Sequence, residues 1–237
     1  MNIALILAAG SGTRMGNTSK PKQFLNIYNK PLIVHTIEAF EMHDEIDMIV
    51  IVTNDTYIDQ VKIWCKQYDL GKVKSVVAGG SSRQESVYNG IQHLQQIGVK
   101  DDDIILIHDA ARPLISQSII SENIVACKKY GAIDTVIPTS DTIIRSLDKE
   151  TICEIQKRSE QYQGQTPQTF TFQIIKEAHD YAKKTNNTET TDDCRLVINM
   201  GKEVHIVNGS KLNFKITTFD DLMMLKALLK IGKSEVL

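Results

Sequence analysis

Five short apolar runs, each followed by a different kind of segment, constrain this chain more than any other feature. They are Ile3–Leu7, Asp47–Thr53, Val73–Ala78, Asp103–His108 and Ala132–Pro138. Runs this apolar suit strands buried on both sides. Between them, apolar residues recur at helical spacing in Pro31–Met42, Tyr57–Tyr68, Ser82–Leu94 and Ser116–Lys129. Pro31 suits a first helical position and Ser116 a helix cap. This alternation predicts an α/β fold: a mostly parallel sheet, right-handed crossovers, and helices between the strands. Ligands of such a sheet lie beyond the carboxyl ends of its strands.

The alternation then breaks. Asp141–Ser146 and Thr151–Ile155 alternate polar and apolar residues around a polar Leu147–Glu150 turn, the pattern of a β-hairpin. A two-stranded ribbon with one apolar face is marginal alone, so it needs cover from the body or from a second subunit. Helices are expected over Phe172–Lys184, after Thr191-Asp192-Asp193, and over Asp220–Ile231, with short strands at Glu203–Val207 and Asn213–Thr217. The length of 237 residues suits one domain over 1–237.

Composition excludes several classes of function. The net charge of −2 lacks the basic excess of a general nucleic-acid binder. The N-terminal apolar run is too short to cross a bilayer and has no basic flank before it, so neither a membrane partner nor a signal peptide is expected. Cys65, Cys127, Cys153 and Cys194 are widely spaced and form no CxxC pair, which suits buried thiols in a reducing cytoplasm.

Three strand ends carry the chemistry. The first run opens into Ala8-Ala9-Gly10-Ser11-Gly12-Thr13-Arg14-Met15-Gly16, and Pro21-Lys22-Gln23-Phe24 follows soon after. Glycines let the backbone approach an anion with its N–H groups, while Arg14 and Lys22 add full charge. Met15 stands where a dinucleotide fingerprint would have its third glycine, and the spacing to Lys22 is wrong for a P-loop. The loop therefore reads as a nucleotide-phosphate cradle. The third run ends in Gly79-Gly80-Ser81-Ser82-Arg83, with Ser86 in the first turns of the helix that follows. The fourth ends in His108-Asp109-Ala110-Ala111-Arg112-Pro113. Asp109 offers a hard oxygen ligand for Mg²⁺, and Arg112 a bidentate grip on a phosphate. A turn salt bridge between Asp109 and Arg112 is an equal reading of that segment alone. His108 reads as a hydrogen-bonded strand-end residue.

With these motifs in order, the chain resembles the cytidylyltransferases that join CTP to a polyol phosphate. That family includes 2-C-methyl-D-erythritol 4-phosphate cytidylyltransferase and ribitol-5-phosphate cytidylyltransferase. The match continues through Asp141-Thr142, Arg158, Gln165-Thr166-Pro167-Gln168, Thr191-Asp192-Asp193 and Asn213-Phe214-Lys215-Ile216-Thr217. The resemblance implies a Rossmann-like nucleotidyltransferase (GT-A-like) fold with helices on both faces of the sheet. It also implies a protruding β-hairpin dimerisation arm at residues 139–160 or so, hence a homodimer. It assigns Arg14, Lys22 and Lys215 to catalysis around the triphosphate, and Asp109 to Mg²⁺ or another divalent cation. Ala8, Ala9, Gly10, Ser11, Gly12, Thr13, Gly80, Ser81, Arg83, Ser86 and Ala110 would hold the nucleotide. Arg112, Thr142, Arg158 and Thr166 would bind the second substrate, with Thr142 and Arg158 acting across the dimer.

The second substrate divides the motifs. Tyr162-Gln163-Gly164 resembles the ribitol-phosphate branch, whereas Ala110-Ala111-Arg112-Pro113 and Thr191-Asp192-Asp193 resemble the isoprenoid branch. Because Tyr162 and Gly164 lie nearest the arm, the reading leans to an alditol phosphate such as ribitol 5-phosphate, giving CDP-ribitol for teichoic acid or capsule. The alternative is 2-C-methyl-D-erythritol 4-phosphate. Outside the family, the competing readings are a sugar-1-phosphate nucleotidyltransferase and a nucleotide-binding regulatory module without turnover.

Overall fold

The computed structural model of the chain describes residues 1–10, 20–187 and 190–234. In chain order the strands are β1 (Asn2–Ala8), β2 (Asn26–Ile27), β3 (Lys30–Pro31), β4 (Met48–Thr53), β5 (Val73–Ala78), β6 (Ile104–Asp109), β7 (Ala132–Pro138), β8 (Ile144–Arg145), β9 (Glu154–Ile155), β10 (Tyr162–Thr171) and β11 (His205–Asn208). The helices are α1 (Leu32–Glu41), α2 (Ile58–Gln67), α3 (Arg83–Gln96), α4 (Gln117–Tyr130), α5 (Phe172–Lys184), α6 (Asp193–Asn199) and α7 (Phe219–Ser234). The main sheet has seven strands in the order β11-β7-β10-β6-β1-β4-β5. All neighbours are parallel except β10, which runs antiparallel to both β6 and β7.

Side-chain alternation along the strands divides the core in two. Ala4, Ile6 and Ala8 of β1 face a cluster that includes Phe40 of α1, Val61 of α2 and Ile120 and Ile124 of α4. Ile3 and Leu5 face the other way, onto Val87 and Ile91 of α3, Phe172 and Ile175 of α5, and Leu196 of α6. The central strands are thus buried on both faces, as their unbroken apolar runs require. Helix α7 closes a third cluster, with Leu222 and Leu225 packed against Ile27, Leu32 and Ile216.

The expected helices occur to within three residues, and their caps explain several of the boundaries. The Ser116 side chain accepts from the N–H of Ile119, and the Ser82 side chain from that of Glu85. Pro31 lies one residue outside α1, in extended conformation, rather than at its first helical position. Helix α4 ends at Gly131, whose φ of +80 requires glycine.

Two departures have clear physical causes. Asn213–Thr217 is not a strand: its backbone is tied to the loop after β6 by one contact, Ile216 N–H to the Ala111 carbonyl at 2.8 Å, instead of a ladder. Conversely, Tyr162–Thr171 is a ten-residue strand inside the sheet, although it contains Pro167 and is rich in polar residues. Proline removes a ladder donor, so a central strand is unexpected there. The structure absorbs it with a register shift against β7 between Gly164 and Gln168. The polar side chains are then satisfied sideways. Thr169 Oγ1 donates to Asn123 Oδ1 at 2.9 Å, and Thr135 Oγ1 to the Pro167 carbonyl at 2.6 Å.

The hairpin is present but short: only Ile144–Arg145 and Glu154–Ile155 pair. Its turn is built on Asp148, whose carboxylate accepts from the N–H groups of Glu150 and Thr151. Ile144, Leu147, Ile152 and Ile155 are all exposed. Among the described residues no helix is long and apolar enough to cross a membrane, and the four cysteines are unpaired.

Candidate active site

The parallel strands β1, β4, β5 and β6 end on the same edge of the sheet, and the segments that leave them line a cleft of about 500 Å³. From β1 come Ala8, Ala9 and Gly10. From the β5–α3 junction come Gly80, Ser81, Arg83 and Ser86, and from β6 come Asp109 and Ala110. Lys22 and Lys215 reach in from segments far apart in sequence. All of these were expected at the site. Ser11, Gly12, Thr13 and Arg14 lie outside the described residues.

Close approach of backbone explains the glycines after β5. A Cβ on Gly79 would stand 2.5 Å from Ala9 Cβ and 2.9 Å from Ser86 Oγ, so the β1 and β5 ends could not come together. Ser86 Oγ accepts from the Gly80 N–H at 3.1 Å and donates to the Ser82 carbonyl at 2.8 Å. That pair ties the glycine turn to the start of α3.

Asp109 is the only carboxylate lining the cleft among the described residues, and cations surround it. Its Oδ2 lies 3.0 Å from Lys215 Nζ and 3.3 Å from Arg112 Nε. Burial alone would raise its pKa, but Lys215, Arg83 and Arg112 together hold the carboxyl well below the usual range. Arg83 in turn donates to Asp193 Oδ2 at 2.7 Å. Asp193 is fully buried, and its other oxygen lies 3.1 Å from His179 Nε2. Burial pushes the Asp193 carboxyl up, and Arg83 and His179 more than offset that. Lys22 Nζ donates to the Ile216 carbonyl at 2.6 Å, joining the two cation-bearing segments.

His108 is a buried hydrogen-bonded strand-end residue, as its position suggested. Its Nε2 lies 3.1 Å from the Arg112 carbonyl, an acceptor, so Nε2 carries the proton. Nδ1 then accepts from Thr166 Oγ1 at 3.0 Å, and Thr166 accepts from the Asp109 N–H at 3.1 Å. Burial drives the imidazole pKa down to about 4, so the ring is neutral at physiological pH.

The residues expected to hold the second substrate fall into two groups. Arg112 and Thr166 are buried behind the cleft: Arg112 donates to the Asn213 carbonyl at 2.8 Å and pairs with Asp109, the turn salt bridge that was the alternative reading. Thr142 and Arg158 lie exposed on the hairpin and do not line the cleft of their own chain. Sequence reasoning passed over Gln23, Asp193, His179 and Asn213 as individual residues. Asn213 Nδ2 donates to Gln165 Oε1 and to the Thr166 carbonyl, which seats the segment carrying Lys215. Buried polar side chains within otherwise apolar turns were the available signal.

Known proteins share this fold. The sequence profile of 2-C-methyl-D-erythritol 4-phosphate cytidylyltransferases matches residues 2–231. A crystal structure of a 4-diphosphocytidyl-2C-methyl-D-erythritol synthase is 30% identical, with a TM-score of 0.79, covering 96% of this chain and 97% of that one. The synthase of the same description from Anaerococcus prevotii is 27% identical, with a TM-score of 0.82 and coverages of 97% and 96%. The 2-C-methyl-D-erythritol 4-phosphate cytidylyltransferase of Thermus thermophilus is 26% identical, with a TM-score of 0.74 and coverages of 97% and 100%.

Proposed function

The chain belongs to the 2-C-methyl-D-erythritol 4-phosphate cytidylyltransferase family, and from that premise we propose that it transfers CMP from CTP to 2-C-methyl-D-erythritol 4-phosphate. It is a CTP-dependent cytidylyltransferase; the identity of the polyol phosphate is the proposal. The observation that carries it is the cleft itself, where Lys22, Arg83 and Lys215 converge beside the β1 and β5 glycine turns. Of the two substrates considered, the family profile and the solved relatives favour the methylerythritol phosphate over the alditol phosphate.

A phosphate-monoester oxygen of the polyol attacks the α-phosphorus of CTP. The new P–O bond forms as the bond to the β-phosphate breaks, and pyrophosphate leaves with that electron pair. Both reactants are anions, so the protein has to position them and neutralise charge rather than supply a nucleophile. Lys22 and Lys215 serve the triphosphate, with Arg14 assigned to the same task. Ala8, Ala9 and Gly10 with Gly80, Ser81, Ser86 and Ala110 hold the nucleotide. Asp109 fits a divalent cation, because Mg²⁺ takes one or two carboxylates and completes its shell with phosphate oxygens and water. A cation held there would supply charge neutralisation on the phosphates. Thr142 and Arg158 reach the polyol phosphate from the arm of a second copy, in a homodimer built from one-domain chains.

A second reading has one observation in its favour. Tyr162-Gln163-Gly164 occupies the start of β10, opposite Pro138–Val136, where the arm leaves the sheet. That segment resembles the ribitol-phosphate branch, whose substrate would be ribitol 5-phosphate. Pyrophosphate release with CTP and Mg²⁺ is measured for both polyol phosphates. A higher kcat/KM with methylerythritol phosphate is the expected result, and a higher value with ribitol 5-phosphate would select the second reading. Release with UTP or GTP and a hexose 1-phosphate, and none with CTP, would overturn both. CTP binding without turnover on either polyol phosphate would make the chain a regulatory module.

A further inference from the structure

We propose that Gln23 is a positioning residue for the nucleotide: its buried amide holds Ala8, Ala9 and Gly10 in the conformation that receives CTP. The inference rests on the reading of this cleft as the CTP site. Gln23 is 3% exposed. Its Nε2 donates to the Ala8 carbonyl at 2.6 Å and to the Gly10 carbonyl at 2.8 Å. One amide nitrogen has two N–H donors, so these two acceptors use both. Each peptide unit is planar and trans, so fixing the Ala8 carbonyl also fixes the Ala9 N–H in the opposite direction.

Gln23 itself is rigidly mounted. It lies in the 3₁₀ turn Lys22–Phe24, and the Phe24 ring packs against Tyr57 and Trp64 with centroid separations of 4.4 and 5.6 Å. Lys22 hangs from the same turn. One aromatic anchor therefore fixes both the lysine and, through Gln23, the backbone at the end of β1. A backbone held in its binding conformation does not have to be ordered when the ligand arrives, which favours affinity for the nucleotide.

The test compares wild type, Gln23→Met and Gln23→Glu by pyrophosphate release with CTP, Mg²⁺ and the preferred polyol phosphate, alongside thermal unfolding of each protein. Met keeps the volume and removes both donors. Its KM for CTP should rise at least about tenfold, the factor that corresponds to 1.4 kcal/mol, with the KM for the polyol phosphate changed less than about twofold. Glu presents oxygens to two carbonyls when ionised but donates one hydrogen bond when protonated, and burial raises its pKa. Its KM for CTP should therefore fall toward the wild-type value as pH is lowered from about 8 to about 6, while that of Gln23→Met stays high. Should Gln23→Met fail to fold, the pH profile of Gln23→Glu decides. An unchanged KM for CTP in Gln23→Met, equal losses for both substrates, or a Gln23→Glu profile parallel to wild type would each overturn the inference. If wild type itself releases no pyrophosphate from CTP, the reading of the site fails instead.

Discussion

Asp109 is where the electrostatics of the cleft are decided. A buried carboxylate without partners would protonate, and this one is kept ionised by three cations that also line or back the cleft. The arrangement keeps like charges from repelling one another in the ligand-free protein. Lys22 is held differently from Lys215: its ammonium donates to the Ile216 carbonyl, whereas that of Lys215 pairs with Asp109. Lys22→Ala should lower kcat by at least about 100-fold, the scale of losing one transition-state charge, with thermal stability little changed. Near-normal kcat would remove Lys22 from the mechanism.

Asp134 titrates away from the cleft. Burial raises its pKa to about 6, with Asp192 nearby adding to the shift and a hydrogen bond from Gln168 opposing it. A carboxyl whose folded pKa exceeds its unfolded value of 3.8 stabilises the fold while protonated, and that contribution is lost as pH rises through about 6. Asn mimics the protonated acid. Asp134→Asn should therefore unfold roughly 5 °C above wild type at about pH 8, with the gap closing near pH 4. A gap that is absent at high pH, or constant across the range, would count against this account.

At the scale of elements, the hairpin stands apart from the rest of the chain. Helices α1 to α6 bury an apolar face against the sheet, but β8 and β9 leave Ile144 at 52% exposure and Ile155 at 63%. These two residues pair directly across the ribbon. A dimer contact through this face would explain why isoleucines are there at all. Ile144→Asp combined with Ile155→Asp should turn a dimer into a monomer by sedimentation and sharply reduce turnover, while far-UV circular dichroism stays the same. A monomeric wild type, or a variant that remains dimeric, would sink the arm as an interface. The strand β10 is the counterpart of this element inside the body. Its Gln-Thr-Pro-Gln segment carries a proline, which argues locally against a central strand. Only the bulge against β7 and the side-chain partners Asn123, Thr135, Asp134 and Asp192 let it lie in the sheet.

For the whole molecule, the site exists because parallel strands bring their carboxyl ends to one edge, where backbone donors and side chains from distant segments meet. Among the described residues no three His, Cys, Asp or Glu side chains group together as a metal site. A divalent cation would then depend on the nucleotide as much as on Asp109. Chelation with EDTA should abolish pyrophosphate release, and excess Mg²⁺ should restore it. The unfolding temperature of the nucleotide-free protein should move by less than about 1 °C, since nothing tightly held would be removed. A clear drop on chelation would point to a resident metal.

The sequence by itself determined the five parallel strands and their crossover helices, because continuous apolar runs and helical periodicity are local properties of the chain. It also marked three strand ends as candidate ligand positions, because glycine turns and charged residues following buried runs lie on the ligand side of such a sheet. Tertiary structure decided what those residues touch. It placed Arg112 and Thr166 behind the cleft rather than in it, mounted Arg83 on Asp193, and set Lys22 beside Ile216, 194 residues along the chain. It also turned a polar, proline-containing segment into a central strand. These outcomes depend on long-range partners that satisfy buried polar groups, and no local pattern encodes which partner will be in reach.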